Sequence, residues 1–302
     1  MPDAHPASES WRSFSHVELE REYSPSSCVP DGDIGPYLQT YADRSTHARD
    51  QVGAAGATLT ELRYGVKESQ TLDVAVPGPG VNPAPVVVYF HGGYWQQLSK
   101  RDSFFAANDS VEHGVAFAAV GYTLAPEASL DEIVAECHAA LRALRSEAER
   151  LGIDGTRIFV AGSSAGAHLA AMVARGHGDD DWQPAGCCLV SGVYDLRPLI
   201  TTYINDAVKL DLEAAERNSP LLLPAIRFPP SVLAVGTNET AEFKRQNDAM
   251  AAALRARGAR VQQLEVDARN HFDVILDLCN RESPLGAAFL DLIAQPGAIG
   301  ND

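Results

Sequence analysis

Residues 159–172 read FVAGSSAGAHLAAM. The run RIFVAG at 157–162 has the continuous apolar character of a strand buried on both faces, and from Ser164 the pattern turns helical and rich in alanine. Between them stands Gly162-Ser163-Ser164-Ala165-Gly166, a G-x-S-x-G sequence with the strand before it and the helix after it that its mechanism requires. So sharp a turn needs small neighbours, and it lifts the Ser164 hydroxyl to the top of a sheet. The helix N-terminus adds unpaired N–H groups and a partial positive charge beside that hydroxyl. Ser164 is therefore the candidate nucleophile, in preference to a tight turn without chemistry. Ser163 is a small neighbour, and the N–H of Ala165 can face an oxyanion.

Working outward, the same alternation recurs. TLTELRYG (58–65) and TLDVAVP (71–77) alternate enough to be two antiparallel strands. VVVYF (86–90), VAFAAVGY (115–122), AGCCLVSG (185–192), SVLAVG (231–236) and RVQQLEV (260–266) read as further strands. Ser129 opens a long helix, with Glu132 completing a capping box and Leu130, Ile133, Val134, Leu141 and Leu144 on one stripe. Other helices are expected from about Thr240 to Gly258, around 272–280 and at 284–294. The fold class is α/β: a mostly parallel central sheet of about eight strands with helices on both faces. Residues 1–56, polar and broken by Pro and Gly, form an N-terminal extension that either caps the site or frays. Residues 57–302 form one catalytic domain.

In such sheets, ligands bind beyond the carboxyl ends of the strands. His271 is the one histidine after the Ser164 helix and its loop, and it follows the last strand; it is the candidate general base. Glu239 follows SVLAVG and is the candidate acid that orients the imidazole. Asp267 is the second choice for that role, and Glu242, one turn into the next helix, answers the helix dipole. The strand VVVYF ends in His91-Gly92-Gly93-Tyr94-Trp95. Two glycines let backbone N–H groups of Gly92 or Gly93 approach a tetrahedral oxygen, with His91 bracing the loop. Tyr94 and Trp95 either wall a substrate ring or pack as core beneath the loop.

The chain has 302 residues, and 24 Lys and Arg against 40 Asp and Glu leave a net charge of −16. That balance argues against nucleic acid or anionic membrane as a partner. No apolar run reaches spanning length, and the opening MPDAHPASESWRSF lacks a signal pattern, so a cytoplasmic location is expected. Five cysteines without a CxxC pair read as buried thiols. Nine histidines show no HExxH spacing; HGDDDW (177–182) could hold a cation but reads better as a solvated loop. No metal or organic cofactor is expected. The expected partner is a small aromatic amide or ester, and the sequence leaves a homodimer open.

EREYSPSS (20–27), HGGYWQQLSKRDS (91–103), GYTLAPEASLDEIVAEC (121–137) and GSSAGAHLAAM (162–172) resemble successive blocks of the arylformamidase (kynurenine formamidase) family of serine-dependent α/β-hydrolases. SGVYDLRPLITTYIND (191–206), RNSPLLL (217–223), AEFKRQNDAM (241–250) and HFDVI (271–275) resemble the later ones, in order. The resemblance implies an α/β-hydrolase fold, with the nucleophile at Ser164 and the base at His271. It implies cleavage of N-formyl-L-kynurenine to kynurenine and formate, through a formyl-enzyme. Two positions depart from the family pattern: Glu239 stands where the animal enzymes carry Asp, and Ser163 where His is commoner. The competing expectations are a carboxylesterase using the same serine and a hydrolase-fold binding protein without catalysis.

Overall fold

The computed structural model describes residues 6–54, 56–78, 80, 83–175, 182–224 and 227–295. Eight strands form one sheet: β1 (Thr58–Arg63), β2 (Thr71–Val76), β3 (Ala84–Phe90), β4 (Ala116–Val120), β5 (Ile153–Ser163), β6 (Gly186–Val190), β7 (Ser231–Asn238) and β8 (Val261–Asn270). Their spatial order is β1-β2-β4-β3-β5-β6-β7-β8. β2 pairs antiparallel with β1 and β4, and every other neighbouring pair is parallel. Each of the eight expected strands is present.

The helices in chain order are α1 (His16–Glu22), α2 (Gly35–Ala54), α3 (Ala107–Glu112), α4 (Leu130–Ser146), α5 (Ala148–Leu151), α6 (Ala165–Ala174), α7 (Asn205–Val208), α8 (Leu212–Arg217), α9 (Ala241–Ala256) and α10 (Pro284–Ala294). α4 starts as its sequence dictates: the Ser129 hydroxyl caps the Glu132 N–H, and the Glu132 carboxylate returns to the Ser129 N–H. Alternate residues of β3 feed two apolar layers. Val86, Val88 and Phe90 pack with Leu141, Leu144 and Leu169, while Val87 and Tyr89 pack with Phe104, Phe117 and Phe289 on the other face. That double burial is why VVVYF has no polar alternation.

Two segments differ from expectation. Residues 35–54 form a 20-residue helix whose buried stripe is Tyr41, Ser45, Ala48 and Val52. The spacing is helical, but small and polar residues carry it. The helix expected around 272–280 is instead a short 3₁₀ turn, Val274–Asp277. The Asn270 side-chain oxygen accepts the N–H groups of Phe272 and Asp273, and Cys279 takes a positive φ of 64°, so a helix cannot run on. The cluster at 177–181 lies outside the described residues.

The strand order places the site. The chain runs from β3 outward to β4, then returns across β3 to β5 and continues through β8 on the other side. The loops after β3 and β5 therefore diverge at the switch point, where a crevice opens. Register sets their level: Phe90 pairs with Gly162, and Ser163 with Val190.

Candidate active site

Ser164 caps α6 with φ 57° and ψ −122°, a conformation L-residues avoid. The fold holds it there because the backbone closes in on both sides. A Cβ at Gly166 would fall on the carbonyls of Phe90 and His91, and one at Gly162 on the carbonyl of Gly166. The Ser164 N–H donates to the Val190 carbonyl at 2.9 Å. The ten-residue α6 thus directs its N-terminal N–H groups at the end of β3.

The β7–β8 ladder delivers the next two groups. Asn238 pairs with Asn270, so Glu239 and His271 leave adjacent strand ends at one level. β8 reaches that level through an irregularity: two residues of β7 beyond Gly236 face four residues of β8 beyond Val266, and Ala268 sits at φ 57°. The extra residues turn Asp267 outward, and it is exposed. His271 Nδ1–H donates to Glu239 Oε2 at 2.8 Å. Glu239 Oε1 accepts the Ser191 hydroxyl at 2.6 Å and the Gly236 N–H at 2.7 Å. Fixing the proton on Nδ1 leaves Nε2 as the acceptor of a neutral imidazole. The His271 ring lies against Phe243, centroids 4.3 Å apart, and meets Phe272 at 77°.

Ser164, His271, Gly92 and Gly93 line one cavity with Ser163. The loop after β3 is tightly held. His91 Nδ1 lies 2.9 Å from the Gly92 carbonyl, and the Tyr122 hydroxyl donates to the His91 carbonyl at 2.8 Å. The two rings stack at 4.2 Å. Burial pushes His91 down to about 4, so it stays neutral through the neutral pH range. A Cβ at Gly92 would lie 3.0 Å from the Ser163 carbonyl oxygen and 3.3 Å from Ser164 Cβ. Gly93 takes φ 92°.

Tyr94 and Trp95 part company. The Tyr94 ring lines the cavity while its hydroxyl donates to the Tyr23 carbonyl at 2.6 Å. Trp95 is fully buried, packs edge-on to His168 at 5.0 Å and does not line the cavity; it takes the core role. Glu242 is also buried, but its carboxylate accepts the Tyr23 hydroxyl and pairs with Arg245, both at 2.7 Å. The sequence leaves open whether the N-terminal segment caps the site and singles out none of its residues; Pro25, Leu38 and Tyr41 line the cavity. Reasoning from sequence missed Ser191, although the rule that points to Glu239 and His271, a polar side chain one residue past a strand end, points there too. Among the described residues no three His, Cys, Asp or Glu side chains stand together as a metal site, and no helix is long and apolar enough to cross a membrane.

A family model for the alpha/beta hydrolase fold matches residues 87–274. The kynurenine formamidase of Danio rerio is 33% identical over 297 residues, covering 94% of this chain and 99% of that one. Carboxylesterase NlhH of Mycobacterium tuberculosis is 40% identical over 165 residues, covering 47% of this chain and 51% of its own. A Silicibacter sp. protein of solved structure superposes with a TM-score of 0.76 at 28% identity, covering 92% of this chain and 99% of that one. The glycine loop, the serine elbow, Glu239 and His271 follow β3, β5, β7 and β8 of one sheet, and the chain is a hydrolase that belongs to the kynurenine formamidase family of the α/β-hydrolases.

Proposed function

We propose that the protein hydrolyses an aryl formamide, N-formyl-L-kynurenine, to kynurenine and formate. Ser164 is the nucleophile, His271 the general base and Glu239 the acid that orients it. His271 Nε2 takes the Ser164 proton as Oγ attacks the formyl carbon. The N–H groups of Ala165 and of Gly92 or Gly93 hold the oxyanion. His271 then protonates the aniline nitrogen, the C–N bond breaks and kynurenine leaves. Water, activated by the same imidazole, attacks the formyl-enzyme, releasing formate and restoring the serine. An anilide nitrogen leaves more readily than an alkyl amine, which suits a triad that needs no metal. The walls of the cavity, with Tyr41, Tyr94, Phe105 and Phe272, suit an aromatic ring.

The observation that carries this reading is the 2.8 Å bond from His271 to Glu239, in a family member whose buried Ser164 lines one cavity with His271. The experiment is turnover of N-formyl-L-kynurenine beside p-nitrophenyl acetate, in the wild type and in Ser164→Ala. Formamide cleavage lost in the variant supports the reading. Ester cleavage alone favours the second reading, a carboxylesterase, which the 40% identical stretch shared with an esterase supports. Failure of a fluorophosphonate to label Ser164 in the folded protein revives the non-catalytic alternative.

The proposal extends to the N-terminal segment. Residues 16–54 act as a cap: Leu38 and Tyr41 of α2 wall the cavity, and the Tyr41 hydroxyl donates to the Phe272 carbonyl beside His271. All five cysteines are free, which supports a reducing, cytoplasmic setting.

A further inference from the structure

Ser191 stands one residue beyond β6, fully buried, at φ 50°. Left-handed geometry costs an L-residue about 1 kcal/mol or more, and such strain collects where a fold must aim one group. Here the aimed group is a hydroxyl, 2.6 Å from Glu239 Oε1. Its backbone is pinned by its N–H to the Ala234 carbonyl at 2.8 Å. Register places it next to the nucleophile, since Ser163 pairs with Val190.

The chemistry of the acid explains why such a hydroxyl matters. The last torsion of a glutamate is broad and nearly two-fold, so its carboxylate rotates freely unless something holds it. A glutamate also has one more rotatable bond than an aspartate to fix. Two donors on Oε1, the Ser191 hydroxyl and the Gly236 N–H, set that torsion and leave Oε2 facing His271. Gly236 lies in β7 itself, three residues before Glu239 on the same strand, whereas Ser191 stands at the end of β6, the strand beside β5. The Ser191 bond therefore links the carboxylate to a second strand end, next to the one that carries Ser164.

We propose that Ser191 is a positioning residue for hydrolysis, its hydroxyl locking the Glu239 carboxylate so that one oxygen stays on His271 Nδ1. The inference rests on the assignment of Ser164, His271 and Glu239 made above. It acts through Glu239 and touches no substrate.

The test is Ser191→Gly, which removes the hydroxyl and relieves the positive φ, so that the backbone is not penalised. With either substrate named above, kcat falls about ten-fold or more and KM stays within about two-fold. In a Glu239→Ala background the same substitution costs less than about two-fold, because residues acting as a unit are not additive. The proton resonance of His271 Nδ1–H, sharp and downfield in the wild type, broadens in Ser191→Gly. Should the glycine variant fail to fold, Ser191→Cys keeps the size with a weaker donor and gives an intermediate kcat. Equal losses in both backgrounds, or a wild-type kcat with an unchanged resonance, would overturn the proposal. Ser164→Ala with wild-type turnover would instead overturn the assignment beneath it, while the resonance still reads the link from Ser191 through Glu239 to His271.

Discussion

Glu239 uses both carboxylate oxygens, one for His271 and the other for two donors of the sheet, and its reach is matched to all three. Shortening it by one methylene cannot satisfy both ends. Glu239→Asp should lower kcat at least ten-fold, and Glu239→Ala by up to about 10⁴-fold, with the fold intact, as steady-state kinetics and thermal melts on the same samples will show. Histidines set a second residue-scale limit. His168, on α6, donates from Nε2 to the Asn218 carbonyl at 2.7 Å, and its Nδ1 finds no partner among the described residues. Burial lowers it to about 4, as it does His91. The unfolded chain binds these protons at about 6.5, the folded protein only near 4, so between those values the unfolded state holds more protons. Stability therefore falls as pH drops through that window and is unaffected by these groups above it. The loss between pH 7 and pH 5 is on the order of 2 kcal/mol per histidine. Urea unfolding at the two pH values should show it, with a smaller difference in His168→Gln; an equal difference in that variant would remove His168 from the account.

The loop after β3 shows how an element makes geometry that no single residue owns. Gly92 has room for nothing larger: a methyl group there meets the Ser163 carbonyl and Ser164 Cβ at 3.0 and 3.3 Å. A few tenths of an ångström of withdrawal relieves that contact, so Gly92→Ala should fold while its donors retreat from the oxyanion. The expected loss is about 10²-fold in kcat, with little change in thermal midpoint. Gly166→Ala offers the contrast: its methyl would fall on two carbonyls of β3 and the loop, and the soluble yield should collapse. These strand-end loops were legible in the sequence because each follows an apolar run that can only be a buried strand, and because β-end placement restricts chemistry to a few positions. Position alone singles out His271, and Glu239 is singled out by the loop it opens; the two side chains meet at 2.8 Å. α2 was not legible, since Ser45 and Ala48 carry half of its buried stripe and give little hydrophobic contrast. Nor was the level at which Asp267 drops out, because an irregularity in β8 depends on the pairing of two strands rather than on either one.

At the scale of the molecule, the N-terminal segment joins parts that the sheet alone leaves separate. Tyr94, Trp95 and Leu98 all take positive φ, from 48° to 67°, without being glycine. Strain on that scale, about 1 kcal/mol or more per residue, persists only where the surroundings over-determine the loop. Three bonds do so: Tyr94 hydroxyl to the Tyr23 carbonyl, Gln96 Nε2 to the Ile204 carbonyl at 2.8 Å, and the Ala125 N–H to the Trp95 carbonyl at 2.8 Å. Tyr23 in turn donates to Glu242 of α9, and the Thr240 hydroxyl, next to Glu239, donates to the Glu22 carbonyl at 2.6 Å. One short stretch, Glu22–Tyr23, thus ties the loop after β3 to the start of α9 beside Glu239, the latter through residues more than 200 apart in sequence. Such a contact has no local signature, which is why the sequence leaves capping and fraying equally open. If the tie serves catalysis, Tyr94→Phe, which keeps the ring against the cavity and loses only the hydroxyl, should lower kcat by about ten-fold for about 1 kcal/mol of stability. The loss should be the same for formamide and ester, since both use the same oxyanion donors. A variant that is less stable yet turns over both substrates at the wild-type rate would reduce residues 16–54 to a stabilising wrap, and the cap would then shape the cavity without setting the machinery beneath it.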